Sequence, residues 1–280
     1  MTDPLRAIIL GVVEGLTEFL PVSSTGHMIL VEPLLGIKSG SMPPQAVRFW
    51  KEVFDIFIQI GAILAVVLYF WRQLWQLTFK ARAASWPDHI LVKLFVAFLP
   101  AAILGKLAGG WITEHLKTPP VVAGALVVGG ILIIAIERGM RHPRFHTAAG
   151  VPLMTALLIG VAQCLAMIPG TSRSAATIMG ALLLGLTAPA AAEFSFFLAI
   201  PTMFAAGGYS LLKYRHDIAA DQLGLLGLGF CVAFVVALVV VAGFMRYIQT
   251  HKFAPFAVYR IVLGIAVVAV IIEWPGLFAG

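Results

Sequence analysis

The sequence predicts an all-α polytopic membrane protein: six transmembrane helices plus two re-entrant helix pairs in inverted-topology repeats. One integral membrane domain, 1–280, contains repeats of approximately 1–140 and 148–280. Three observations lead there. Apolar residues make up 60% of the 280-residue chain and charged residues 11%, with a mean hydropathy of +0.98, against about 45–50% and about 25% in soluble domains. The apolar runs are continuous, as from Leu223 to Met245, which suits a spanning helix of about twenty residues and not a barrel strand of about ten alternating ones. The second half also repeats landmarks of the first. The net charge of +6 does not point to nucleic acid, because Lys and Arg fall between the apolar runs, as loops flanking spans do, and no recognition motif accompanies them.

Asp3-Pro4 reads as a cap and first-turn proline that launch a helix from Leu5, stopped by Pro21. Glu14 and Glu18 interrupt this run and no A-x-A-like exit follows, so a cleaved signal peptide is not expected. Some sixteen residues are too few for a comfortable crossing at about 1.5 Å each. Ser23 or Ser24 can cap a second short helix to about Leu35, and the two pieces read as a re-entrant pair, tolerable at membrane depth only around a cavity or buried in protein. A polar loop over 36–52 leads to a span from Val53 to Trp71, whose Asp55 and Gln59 share a face and read as a polar helix contact. Ile90 to Gly110 follows, with Pro100 as a kink and Gly105 and Gly109 as a close-packing pair, then Val121 to Ile136. The second half supplies a pair at about 151–168 and 173–186 and spans at about 193–212, 223–245 and 256–273.

The repeat rests on matches in shared order. Gly160, Val161, Gln163 and Leu165 follow Gly11, Val12, Glu14 and Leu16 by 149 residues, Pro169 follows Pro21 by 148, and Val232 to Phe234 repeats Val96 to Phe98. A re-entrant pair plus three crossings per half inverts the halves, as in transporters built from inverted repeats. Both termini then share a side. Loop Lys and Arg after spans one, three and five (Arg72, Lys80, Arg82, Arg138, Arg141, Arg144, Arg246, Lys252) slightly outnumber those opposite, which places the termini outside.

Polar residues inside apolar segments carry the chemistry, since a charge at the bilayer centre costs about 2.5 kcal/mol or more. Glu14 and Glu18, one turn apart, repel when both are ionised, so a proton or a cation must sit between them. Hard oxygens of this kind suit Mg²⁺ or Ca²⁺. Ser23, Ser24, Thr25, Gly26 and His27 open the next helix, where backbone N–H groups and the dipole form an anion site. Ser24 is the first choice of nucleophile with His27 as its base or as the acid for the leaving group; attack by His27, or by water with Glu18 as base, stays open. The repeated loop offers Gly170, Thr171, Ser172, Arg173, Ser174 and Thr177. Arg173 there needs an anionic partner, and its fork matches phosphate oxygens; an ion pair with Glu18 can coexist with that role. His142 and His146 have metal spacing, but Pro143 and neighbouring arginines read as a solvated loop. Tyr259 and Arg260 at the start of the last span could reach a headgroup or the site, but residues so placed more often snorkel to the interface. Cys164 and Cys231 show neither CxxC spacing nor a disulfide framework.

Glu14 to His27, EGLTEFLPVSSTGH, and Pro169 to Thr177, PGTSRSAAT, closely resemble the bacterial undecaprenyl-pyrophosphate phosphatase family of the bacitracin-resistance type. The resemblance extends through FWRQL at Phe70 to Leu74, EFSFFLAIP at Glu193 to Pro201 and PFAVYR at Pro255 to Arg260. It implies hydrolysis of undecaprenyl pyrophosphate to the monophosphate lipid carrier used for cell-wall polymers. It also implies a divalent cation, Mg²⁺ or Ca²⁺, and a multi-pass protein of the cytoplasmic membrane whose site opens to the outer side. By motif position, Glu14, Glu18, Ser24, His27 and Arg173 are the catalytic candidates and Glu14 and Glu18 the metal ligands. Ser23, Thr25, Gly26, Gly170, Thr171, Ser172, Ser174 and Thr177 are the substrate-binding candidates. The expected partners are a polyprenyl diphosphate and membrane lipids, with a homodimer compatible with the sequence. The rival reading is a secondary transporter or lipid flippase, which broken helices in inverted repeats also fit.

Overall fold

The computed structural model describes residues 2–38, 40–80, 86–139, 143–215 and 218–274. Arg82, Arg141 and His142, which enter the loop-charge and metal-spacing readings, lie outside the described residues. The first element, α1 (Asp3–Thr17), ends before Pro21, and residues 18–22 form turns before α2 (Ser24–Leu34) begins. Fifteen residues at about 1.5 Å each reach about 22 Å, short of a bilayer core of about 30 Å.

The expected polar loop at 36–52 is helical in its second half. Pro44 opens α3 (Pro44–Arg48), and a π-helical stretch, Phe49–Phe54, leads into α4 (Asp55–Tyr69). Phe49, Trp50, Val53 and Phe54 are all buried there, and this apolar face explains why the span starts earlier than its hydropathy indicates. A short α5 (Trp71–Trp75) follows. Then come α6 (Ile90–Leu116), which runs uninterrupted through Pro100 and past Gly110, and α7 (Pro119–Gly139). The second half begins with α8 (Leu153–Gln163), a 3₁₀ turn to Met167, and α9 (Arg173–Leu183). It continues with α10 (Ala188–Tyr214), α11 (Leu223–Tyr247) and α12 (Ala254–Glu273).

Among the described residues, six helices are long and apolar enough to cross a membrane: Pro44–Tyr69, Ile90–Ile112, Pro119–Gly139, Ala188–Tyr214, Ala220–Tyr247 and Ala254–Glu273. With Leu107, Val239 and Ile272 exposed on their outer faces, they make the chain an integral membrane protein.

Small residues set the helix contacts, as expected where lipid competes equally for apolar side chains. Gly11 and Gly15 bring α1 onto α11, where a Cβ at either would fall 2.8 Å from a carbonyl, that of Gly229 or Ala233. Gly160 lays α8 on Ala97 of α6, and Gly130 and Gly264 join α7 to α12. The expected pair at Gly105 and Gly109 is not the close contact. Among the described residues, Gly105 faces the end of Met167 at 3.4 Å, and no side chain, nor any backbone beyond its own turns of helix, comes within 4 Å of where a Gly109 Cβ would sit. At the centre, Phe19 of the first turn region packs edge-on against Phe196 of α10, with ring centroids 5.5 Å apart, in a core that includes Phe194, Phe197, Phe244 and Phe253.

Candidate active site

The two loops that break the short helices come together, and the polar residues of both motifs gather where they meet. Ser23 turns the first loop with φ 72° and caps α2 by accepting from the Gly26 N–H at 3.2 Å. Ser172 does the same in the second, with φ 73° and an acceptor bond from the Ala175 N–H at 3.2 Å. Left-handed backbone is uncommon outside glycine, so its recurrence 149 residues apart is a shared loop shape. Ser174 Oγ donates to the Leu20 carbonyl at 2.8 Å and joins the loops directly. The N-termini of α2 and α9, with their positive dipole ends, therefore lie at this junction.

Side-chain chemistry converges on Glu18. Ser24 Oγ donates to Glu18 Oε2 at 2.6 Å, and Arg173 Nη2 donates to Glu18 Oε1 at 3.1 Å. The Glu18 and Arg173 side chains are each 12% exposed. Arg173 is further held by the Ser195 carbonyl at 3.4 Å and stands 5.5 Å over the Phe19 ring. Thr177 is fully buried and shares a 2.6 Å hydrogen bond with Ser195 Oγ, so it braces the first turn of α9 against α10. Ser172 Oγ lies 2.9 Å from Ser174 Oγ.

His27 is not on Ser24. Its Nδ1 lies 2.7 Å from the Ser23 carbonyl and its Nε2 lies 2.6 Å from the Tyr259 hydroxyl, with the two rings stacked at 5.5 Å. A carbonyl only accepts, so Nδ1 carries the proton, and in the neutral ring Nε2 accepts from Tyr259. The partner that can take a proton from Ser24 is therefore Glu18.

A cavity of about 490 Å³ opens beside this junction, lined among others by Glu14, Ser24, Thr25, Asp55, Lys51 and Lys117. Thr25 is exposed there, while Gly26 lies against Leu126, whose Cδ1 would be 3.1 Å from an added Cβ. Asp55 and Gln59 line the cavity, so their shared face serves it rather than a dry helix contact. Sequence reasoning could not place them at this site, because their position depends on how α4 packs against α1. The lysines of the cavity, Lys38, Lys51 and Lys117, belong to segments that carry no motif.

Glu14 is 1% exposed, and its Oε1 is buried with no hydrogen-bond partner among the described residues. With Glu18 one turn away and Ser24 hydrogen-bonded to Glu18 it offers hard oxygens only. The described residues contain no group of three or more His, Cys, Asp or Glu able to hold a metal. Two carboxylates suit Mg²⁺ or Ca²⁺ that keeps waters and shares ligands with a phosphate, so these residues fit such an ion.

Arg260 departs most from expectation. Instead of snorkelling to the interface it is 0% exposed, and its guanidinium donates to carbonyls of both loops: Pro21 at 3.3 Å, Gly170 at 3.1 Å and Thr171 at 2.8 Å. Two more bonds run to Ala125 at 3.1 Å and Leu126 at 3.4 Å on α7. Backbone carbonyls leave no mark in a sequence; the available signal was the arginine's place one turn inside a span.

A carboxylate, a hydroxyl and a guanidinium held together beside a polar cavity, among membrane-spanning helices, mark an integral membrane protein with a buried polar site. The chain belongs to the family described as bacitracin resistance protein BacA, whose pattern matches residues 7–266. It is 46% identical over 264 residues to an undecaprenyl-diphosphatase of Rhodopseudomonas palustris, covering 94% of this chain and 96% of that one. It is 45% identical over 263 residues to one of Nitrobacter hamburgensis, covering 94% and 95%, and 46% identical over 264 residues to one of a Bradyrhizobium species, covering 94% and 96%.

Proposed function

We propose that this chain hydrolyses undecaprenyl diphosphate to undecaprenyl phosphate and inorganic phosphate, returning the lipid carrier to cell-wall polymer synthesis and opposing bacitracin. The observation that carries the reading is Ser24 Oγ at 2.6 Å from Glu18, with Arg173 at 3.1 Å from the same carboxylate. Its support is the name that relatives about 45% identical over nearly the whole chain bear.

Glu18 takes the Ser24 proton as Oγ attacks the terminal phosphorus; the bond to the bridging oxygen breaks and undecaprenyl phosphate leaves. Arg173 and the N–H groups at the starts of α2 and α9 bind the equatorial oxygens, where charge accumulates. Glu18 passes the Ser24 proton to the departing oxygen of undecaprenyl phosphate; as a carboxylate again it takes a proton from the water that attacks the phosphoserine and returns it to Ser24 Oγ as inorganic phosphate leaves. Glu14 and Glu18 would hold Mg²⁺ or Ca²⁺, which supplies charge neutralisation on the diphosphate when bound. His27, held by Ser23 and Tyr259, orients the first turn of α2, and Thr25 lines the approach.

The α1–α2 and α8–α9 pairs are read as re-entrant, within inverted repeats of about 1–140 and 148–280, and the site opens to the outer face of the cytoplasmic membrane. The matching Ser23 and Ser172 turns support the repeat. So does the exchange of partners, α1 lying on α11 and α8 on α6, each against the corresponding span of the other half. Phosphate release from undecaprenyl diphosphate by purified protein tests the function. A transporter or flippase without hydrolase activity would release none.

A further inference from the structure

Arg260 poses a problem of physical chemistry that the reaction does not explain. A buried guanidinium is normally matched by a carboxylate, yet among the described residues its hydrogen bonds all end on backbone carbonyls. Three of these belong to the two loops, at Pro21, Gly170 and Thr171. Breaking a helix inside a membrane strands such carbonyls away from water, and each needs a donor. Arg260 supplies donors to both loops from one planar group, so their separation is set by the span of a guanidinium. The preceding residue, Tyr259, holds His27 at 2.6 Å on the first turn of α2.

The surroundings are built to this group. Gly129 of α7 faces it so closely that an added Cβ would lie 2.9 Å from Arg260 Cζ and closer still to Nη2. Only glycine at 129 leaves the guanidinium its place.

We propose that Arg260, with Tyr259 beside it, is a positioning residue that clasps the two loops at a fixed spacing, bringing Ser24 and Glu18 on one side and Arg173 on the other to the same phosphate. The catalytic part rests on the phosphatase reading; the clasp itself does not. Among the described residues Arg260 makes no hydrogen bond to Ser24 or Arg173, so its effect should fall on turnover and not on lipid binding.

The test compares wild type, Arg260→Met, Arg260→Lys and Gly129→Ala in detergent, by phosphate release from undecaprenyl diphosphate and by amide hydrogen exchange. In Arg260→Met, kcat should fall about 100-fold, the cost of an ångström-scale misplacement, while KM stays within about threefold. Arg260→Lys should recover part of the loss, since an ammonium has three donors but not the planar spread. Gly129→Ala should reproduce the loss with Arg260 still present. Exchange in 18–27 and 168–177 should quicken about tenfold or more, with the middles of α4 and α11 unchanged. Turnover near wild type with unchanged loop exchange would overturn the clasp, as would exchange rising equally throughout the protein. If Arg260→Met does not fold, Gly129→Ala decides by the same two readouts. If wild type releases no phosphate, the phosphatase reading falls and loop exchange alone decides the clasp.

Discussion

Glu18→Gln tests the centre of the site, because this carboxylate serves two donors at once. The amide keeps the shape but offers one oxygen and one NH₂ group. Arg173 only donates, so the amide oxygen must turn to it, which leaves the NH₂ facing Ser24 Oγ. The serine hydroxyl then accepts instead of donating, and the base for its proton is gone. At 3.1 Å the Coulomb attraction lost from the ion pair is about 5 kcal/mol at an effective dielectric of 20. Desolvation offsets much of that, and a hydrogen bond to a charged group nets about 1.5–3 kcal/mol, so the variant should fold with stability lower by about 2 kcal/mol. Removing a general base lowers turnover by about 10²–10⁴-fold. The assay is steady-state phosphate release by protein in detergent, normalised to the folded fraction from thermal unfolding. A kcat within about tenfold of wild type would refute Glu18 as the base, because even the low end of general-base catalysis exceeds that loss.

Ser24→Ala should abolish both turnover and the phosphoserine seen by mass spectrometry after acid quench of wild type; an acid-stable phosphate on the alanine variant would place the nucleophile elsewhere. Chelation of divalent ions should silence the wild type, and Glu14→Gln should raise the Mg²⁺ or Ca²⁺ concentration for half-maximal rate by about tenfold or more, as loss of a ligand oxygen predicts. An unchanged metal titration would remove Glu14 from the metal site. Thr177→Val strands Ser195 Oγ in the core, which should cost about 1–3 kcal/mol in chemical or thermal unfolding; unchanged stability would mean that the bond does not brace α9. Gly15→Ala drives a methyl into the Ala233 carbonyl and Val236 of α11, and overpacking of this kind costs about 1–3 kcal/mol, read as a lower melting temperature.

The six spans were legible because a twenty-residue apolar run has few alternatives, and the break after α1 was legible from Pro21. The start of the first span was not. Lys51 and Glu52 mask a helix whose buried face is Phe49, Trp50, Val53 and Phe54. The motifs pointed to a pairing of Arg173 with Glu18 across a long stretch of chain, since charge in lipid needs a partner, and the two lie 3.1 Å apart; Ser24, expected beside His27, lies on Glu18 instead. The placement of His27 could not be read, because its two partners are a backbone carbonyl and a tyrosine 232 residues away. Arg260 was missed for a related reason. Its default at the start of a span is to reach for water, and only the folded loops supply the carbonyls that hold it inside.

The twin turns at Ser23 and Ser172 separate form from chemistry. Each hydroxyl is occupied in closing the first turn of its own helix, so the bend is stored in one residue. The next position is left free to differ: Ser24 follows one turn and Arg173 the other. A single loop shape thus stands twice in the chain with a different residue after it, a hydroxyl in one loop and a cation in the other. Such a division of labour lets either side of the chemistry change without redesigning the backbone that presents it.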